Sequence, residues 1–194
     1  MQIRSAKILL LGILCVGSFS VHAKDEELGN YAPISSREGF YAGLSTGKIF
    51  FTGSDRQLYT DAWVVGLKAG YDLFQYFGFE LQLKYSAHDT TLLAPSATTP
   101  TAFTALQLIG AGKVAYPVLR RLKLGITAGG GFFYSTPSMQ SIQSQARAMG
   151  YGSLDIEYFM RIKGMSIGLD PSIALVQNLQ SAIIQTTGFV RYTF

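Results

Sequence analysis

The chain has 194 residues, 48% of them hydrophobic and 13% aromatic, with a formal net charge of +4. That length suits one domain. So small a charge surplus gives no electrostatic case for nucleic acid, and the single cysteine, Cys15, rules out an internal disulfide.

Arg4 and Lys7 open a short basic segment, Ile8 to Val16 is apolar apart from Gly12, and Val21-His22-Ala23 supplies small or modest residues at a cleavage position. This is the three-part pattern of a secretory signal peptide. The apolar run is too short for a membrane-spanning helix, which needs about 20 residues. Gly12-Ile13-Leu14 before Cys15 does not form a lipoprotein cleavage box. Cleavage after Ala23 removes Cys15 with Arg4 and Lys7 and takes the net charge from +4 to +2. An exported chain without cysteine must close its fold by hydrogen bonding and packing. The expected organisation is a signal peptide over 1–23, a periplasmic N-terminal tail over 24–38 carrying Asp25, Glu26 and Glu27, and one domain over 39–194.

Eight strands follow, each read from period-two alternation. The first runs from Phe40 to Phe50, with Phe40, Ala42 and Leu44 against Tyr41, Gly43 and Ser45. In the second, Trp63, Val65, Leu67, Ala69 and Tyr71 oppose Val64, Gly66, Lys68 and Gly70. The third is the most regular, with Phe77, Phe79, Leu81, Leu83 and Tyr85 against Gly78, Glu80, Gln82, Lys84 and Ser86. Phe103 to Tyr116 is the fourth, where Ile109 breaks the pattern by falling with Gln107 and Lys113. Leu122 to Tyr134 is the fifth and Tyr151 to Met160 the sixth, its Ser153, Asp155 and Glu157 opposite Leu154, Ile156 and Tyr158. The seventh sets Met165, Ile167, Leu169, Pro171, Ile173 and Leu175 against Ser166, Gly168, Asp170, Ser172 and Ala174. Pro171 predicts a bulge or a local break in its ladder. The eighth ends the sequence, with Ala182, Ile184, Thr186, Gly188, Val190, Tyr192 and Phe194 on one parity and Arg191 on the other.

The links alternate in length. Those near 51–58, 87–101 and 135–149 are long, and those near 73–76, 117–121 and 161–164 are short; the last, near 177–180, is short as well. Transmembrane barrels have short periplasmic turns and longer extracellular loops. A soluble lipocalin-type barrel shares the alternation with inside and outside reversed. Aromatic residues at the ends of apolar faces, a small and charged opposite parity, and the terminal Phe194 favour the membrane form. The fold class expected is all-β, an eight-stranded antiparallel up-and-down transmembrane β-barrel.

The signal peptide, the eight-strand layout, the tract Gly70-Tyr71-Asp72-Leu73-Phe74-Gln75-Tyr76-Phe77-Gly78-Phe79-Glu80 and the ending Gly188-Phe189-Val190-Arg191-Tyr192-Thr193-Phe194 resemble small outer-membrane β-barrel proteins of the OmpA/OmpX-like type. The resemblance implies an integral outer-membrane protein of a Gram-negative envelope. It also implies that Val190, Tyr192 and Phe194 form an assembly signal read by the insertion machinery. Outer-membrane lipids and lipopolysaccharide are then the surroundings, and the acidic tail offers a docking point for an envelope protein partner.

The inward parity collects Lys68, Glu80, Lys84, Lys113, Asp155, Glu157, Asp170 and Arg191, four basic and four acidic. An eight-stranded barrel is just wide enough for side chains to fill it, and buried charges must pair. The expected arrangement is a structural charge network that plugs the lumen. The alternative is a narrow channel for ions or for small hydrophobic molecules, by analogy with OmpW-like barrels. No catalytic group, cofactor or metal site is expected. After Ala23 the only histidine is His88, beside Asp89 and near Ser86, and neighbours on a strand point apart where a triad needs convergence. Two loops, Thr90 to Thr101 and Ser135 to Gln145, are nearly uncharged and read as solvated. Arg120, Arg121 and Lys123 at one turn, and Arg161 and Lys163 at another, are expected to meet inner-leaflet phosphates.

Overall fold

A computed structural model describes residues 38–74, 76–89, 102–136, 146–179 and 181–194. The signal peptide, the tail before Glu38, the loop Thr90 to Thr101 and most of Ser135 to Gln145 lie outside the described residues. Eight antiparallel strands close into a barrel in chain order: β1 (Gly39–Phe51), β2 (Ala62–Asp72), β3 (Phe77–Asp89), β4 (Ala102–Leu119), β5 (Leu122–Thr136), β6 (Ala146–Phe159), β7 (Met165–Val176) and β8 (Ala182–Thr193). Closure joins β8 to β1, from Tyr41 opposite Thr193 to Phe51 opposite Ile183. The last residue contributes, because the Phe194 amide donates to the Phe40 carbonyl at 2.9 Å. A closed ladder leaves no unpaired edge, the condition for strands to cross a membrane.

The expected parity holds on every strand. Apolar side chains point outward and exposed, among them Phe79, Leu81, Leu83, Leu154, Leu169 and Val190, while the charged parity is buried inside. Aromatic residues cluster outward at the short-turn end, where Phe40 meets Tyr71 edge-on at 4.6 Å and Tyr76 stacks on Tyr116 at 5.7 Å. Trp63, Tyr85 and Tyr134 stand exposed toward the long-loop end. Two aromatic girdles around an apolar band are the outer dress of a transmembrane barrel.

Pro171 stays paired with Thr186 on β8, whereas the β6 ladder lacks Leu154 and Asp155 between Ser153–Ser172 and Ile156–Leu169. The register is the same on both sides of the gap. The ring therefore breaks the ladder locally, by removing a donor, and makes no bulge. Strands β3, β5 and β6 run further toward the long-loop end than their alternation indicates, because each finds a hydrogen-bonded neighbour there. Gly131 and Gly47 point inward where the ladders curve tightly: a Cβ on Gly131 would overlap the Leu108 carbonyl and one on Gly47 the Thr186 carbonyl. Curvature of so small a barrel requires such side-chain-free positions.

The link between β1 and β2 is folded inward. A 3-10 helix, Gly53–Gln57, is followed by Tyr59, whose ring is buried against Phe51 and Phe103 at 5.5 and 5.0 Å. Asp55 bonds to the Ser181 hydroxyl, and Thr60 donates its amide to the Asp89 carbonyl at 2.9 Å. The link is thus fastened on both sides of the mouth.

Candidate functional site: the barrel lumen

The strands project two layers into the lumen. Toward the short-turn end all eight expected side chains, Lys68, Glu80, Lys84, Lys113, Asp155, Glu157, Asp170 and Arg191, are buried. Seven of the eight, all but Lys84, form a continuous chain of ion pairs that also takes in Asp72. Arg191 bridges Asp72 and Glu157, each at 2.9 Å. Lys113 lies 3.7 Å from Glu157 and 3.9 Å from Asp155. Lys68 reaches Asp155 at 4.0 Å and Glu80 at 3.6 Å, and bonds directly to Asp170. Neutral groups satisfy further lone pairs: Tyr41 donates to Glu80 at 2.9 Å, Thr127 to Asp155 at 2.5 Å and Ser166 to Glu157 at 2.6 Å.

The expected partners need two additions and one correction. Asp72 ends β2 and is buried against Arg191. Lys123, expected to meet phosphates, instead points inward and is buried, because it is the second residue of β5 and takes the inward parity opposite Glu157. With both included the lumen holds five cations and five anions. Lys84 differs from the rest. Among the described residues no carboxylate lies within ion-pairing distance; its ammonium donates to Gln185 Oε1 at 3.1 Å and the Tyr151 hydroxyl at 3.2 Å. The Gln185 amide in turn donates to Gln107 at 2.7 Å, so Lys84 begins a belt of neutral polar groups above the ion pairs.

Beyond that belt most of the lumen lining is apolar. Ile49, Val64, Ile109, Phe133, Met149 and Ile183 form one buried cluster, and Phe51, Tyr59 and Phe103 close its upper side. Ile109 does not break the pattern of β4. It keeps the inward parity and belongs to this layer, fully buried.

His88 and Ser86 point into the same layer. The Thr60 carbonyl can only accept, so His88 Nδ1 donates to it at 3.0 Å; Nε2 is then the acceptor for the Ser86 hydroxyl, also at 3.0 Å. The ring stacks on Phe103 at 4.8 Å, and both Ser86 and His88 are only 1% exposed. The pair has the polarity of a nucleophile and its base, but both residues are buried, with Phe51 and Phe103 against the imidazole. Asp89 points away, as expected. Among the described residues no three metal-ligating side chains converge.

Comparison with known proteins places this architecture. The barrel is similar to neisserial surface protein A, with a TM-score of 0.61 at 15% identity over 80% of this chain and 97% of that one. It is also similar to the outer membrane protein OprG of Pseudomonas aeruginosa, TM-score 0.55 at 11% identity over 82% and 98%. A third likeness is Ail, the attachment invasion locus protein of Yersinia pestis, TM-score 0.53 at 10% identity over 80% and 100%. No curated protein matches by sequence. The family described as "Outer membrane protein beta-barrel domain" matches residues 11–170. The chain belongs to this family and is an integral outer-membrane protein.

Proposed function

We propose that this barrel is a non-enzymatic envelope protein with a structural or partner-binding role, and that its lumen is sealed. The supporting observation is the pair of layers in series: a fully buried ion-pair chain from Asp72 to Asp170, and an apolar cluster from Ile109 to Phe103 above it. An ion crossing the first layer must displace paired charges, and crossing the second it must shed water among hydrocarbon side chains. Each step alone is costly in a low-dielectric interior. The enclosed Ser86–His88 pair fits a structural role that anchors Thr60 and the inward-folded link. Partner binding would fall to the acidic tail and the outer loops. Insertion through the assembly machinery would rely on Val190, Tyr192 and Phe194.

Planar-bilayer recording of the refolded barrel tests the seal. The expected trace is silent. Steady conductance that is abolished by Glu80→Gln or Lys84→Met would establish the channel reading instead. Liposome swelling with hydrophobic and hydrophilic solutes extends the test to small uncharged molecules, for which no flux is expected.

A further inference from the structure

The rim of the lumen at the long-loop end carries a cation without a counter-charge. Arg147 is the second residue of β6 and has inward parity, two positions above the buried Met149 and opposite Phe133 on β5. It is half-buried, and its Nε is enclosed without a hydrogen-bond partner. Among the described residues no carboxylate lies within ion-pairing distance of its guanidinium. The acidic side chains described at this end, Asp55, Asp61 and Asp89, belong to the β1–β2 link and to β3, and none to β5, β6 or β7. Arg191, at the opposite end of the lumen, meets two carboxylates.

Ser135 stands diagonal to Arg147 across the β5–β6 ladder. It is the next inward residue after Phe133, it is fully buried, and its Oγ also lacks a partner. Diagonal cross-strand neighbours are close enough for a long side chain to reach. Buried polar groups in folded proteins are nearly always paired, so two orphans at one corner point to a missing partner. Water can serve the hydroxyl, but it does not balance the charge of Arg147. The rest of the corner is apolar. Phe133, Met149 and Val176 belong to the buried cluster, and Leu179 packs half-buried against it. The turn that carries Leu179 is fastened beside Arg147, because the Gln177 amide donates to the Ala148 carbonyl at 2.9 Å and the Leu179 amide to the Val176 carbonyl at 3.1 Å.

We propose that this corner of the mouth binds an organic monoanion, a carboxylate on a compact apolar body, from the medium on the long-loop side. The carboxylate takes the planar fork of Arg147, whose geometry suits two parallel hydrogen bonds. It also accepts the Ser135 hydroxyl, and the apolar body lies toward Leu179. One unpaired cation selects a single negative charge, and the apolar surroundings select against small, strongly hydrated anions. The site needs only the mouth of the barrel and stands whether or not the lumen below it conducts.

The refolded full barrel in neutral detergent is titrated with para-fluorobenzoate, observed by fluorine NMR. A parallel titration uses para-fluorobenzyl alcohol, which has the same ring without the charge. The acid should bind saturably and the alcohol should not. Arg147→Gln should raise the Kd about tenfold or more, and Ser135→Ala about tenfold, since each removes a hydrogen bond to a charged group. Arg147→Met replaces the first variant if heat-modifiable gel mobility shows misfolding. Lys48→Gln and Arg161→Gln remove exposed cations elsewhere and should titrate as the parent. The proposal is overturned if the parent does not bind the acid saturably, or if the alcohol binds as well as the acid. It is equally overturned if the folded Arg147 or Ser135 variant binds like the parent, or if Lys48→Gln or Arg161→Gln weakens binding as much. A conducting lumen would sink the sealed-barrel reading and leave this titration untouched.

Discussion

Arg191 shows how much one inward residue can organise. Its guanidinium joins Asp72 on β2 to Glu157 on β6 and lies 4.1 Å over the Tyr41 ring on β1. Removing one partner of a buried pair strands the other, at a cost of about 3–5 kcal/mol. Arg191→Met should lower the stability of the refolded barrel by about that amount in urea titrations. Adding Asp72→Asn to that variant should recover part of the loss, since one stranded charge then disappears. Glycines give a second contrast at the same scale. Gly131→Val should destabilise strongly because its Cβ overlaps β4 backbone, whereas Gly150→Val meets nothing within 4 Å and should be nearly neutral. Thermal unfolding of the two variants side by side checks the difference.

At the scale of elements, β8 and the β1–β2 link carry most of the consequence. Phe194 bonds to β1 through its amide and packs its ring edge-on against Tyr192 at 5.2 Å. Deleting Phe194 should slow or block insertion into the outer membrane while leaving the lumen side chains unchanged. Normal yields of heat-modifiable barrel from that variant would refute the role of the final strand as assembly signal. The link is held differently, by Asp55 on the Ser181 hydroxyl and by Leu58 and Tyr59 amides returning to the Asp55 carbonyl at 3.1 and 3.0 Å. Ser181→Ala removes the outer fastening. Hydrogen exchange at Leu58 and Tyr59 should then accelerate about tenfold or more, as expected for losing a bond to a charged group.

For the whole molecule, the proposed seal consists of two lumen layers in series, and such a seal fails only when both members fail. Glu80→Ala alone should leave the barrel silent in a planar bilayer, because the apolar cluster persists. Phe103→Ala with Phe133→Ala alone should also stay silent, because the ion-pair chain persists. The triple variant should conduct. A single-layer variant that conducts would show that the other layer is no barrier.

The strand parity, the count of eight and the location in the outer membrane are all legible in the alternation from Phe40 to Phe194, because period-two patterning over eight segments with no cysteine after Cys15 admits few folds. Arg191 and Val190 had only one possible assignment once Phe194 ended a strand. The lumen was legible in part. Its charged residues announce themselves by parity, since a charge has no place in lipid, but an inward isoleucine such as Ile109 resembles an error in the pattern. Asp72 and Lys123 sit next to the short turns, and only their pairing with Gly78 and Glu157 shows that the strands and their inward parity extend to them. The packing of Tyr59, Phe103 and His88 joins three separate strands or links, so no local pattern encodes it. Sequence alone therefore determined which residues face lipid and which face inward, through the strict period of the strand. Tertiary structure decided who meets whom inside, through closure, stagger and the narrow radius of the barrel.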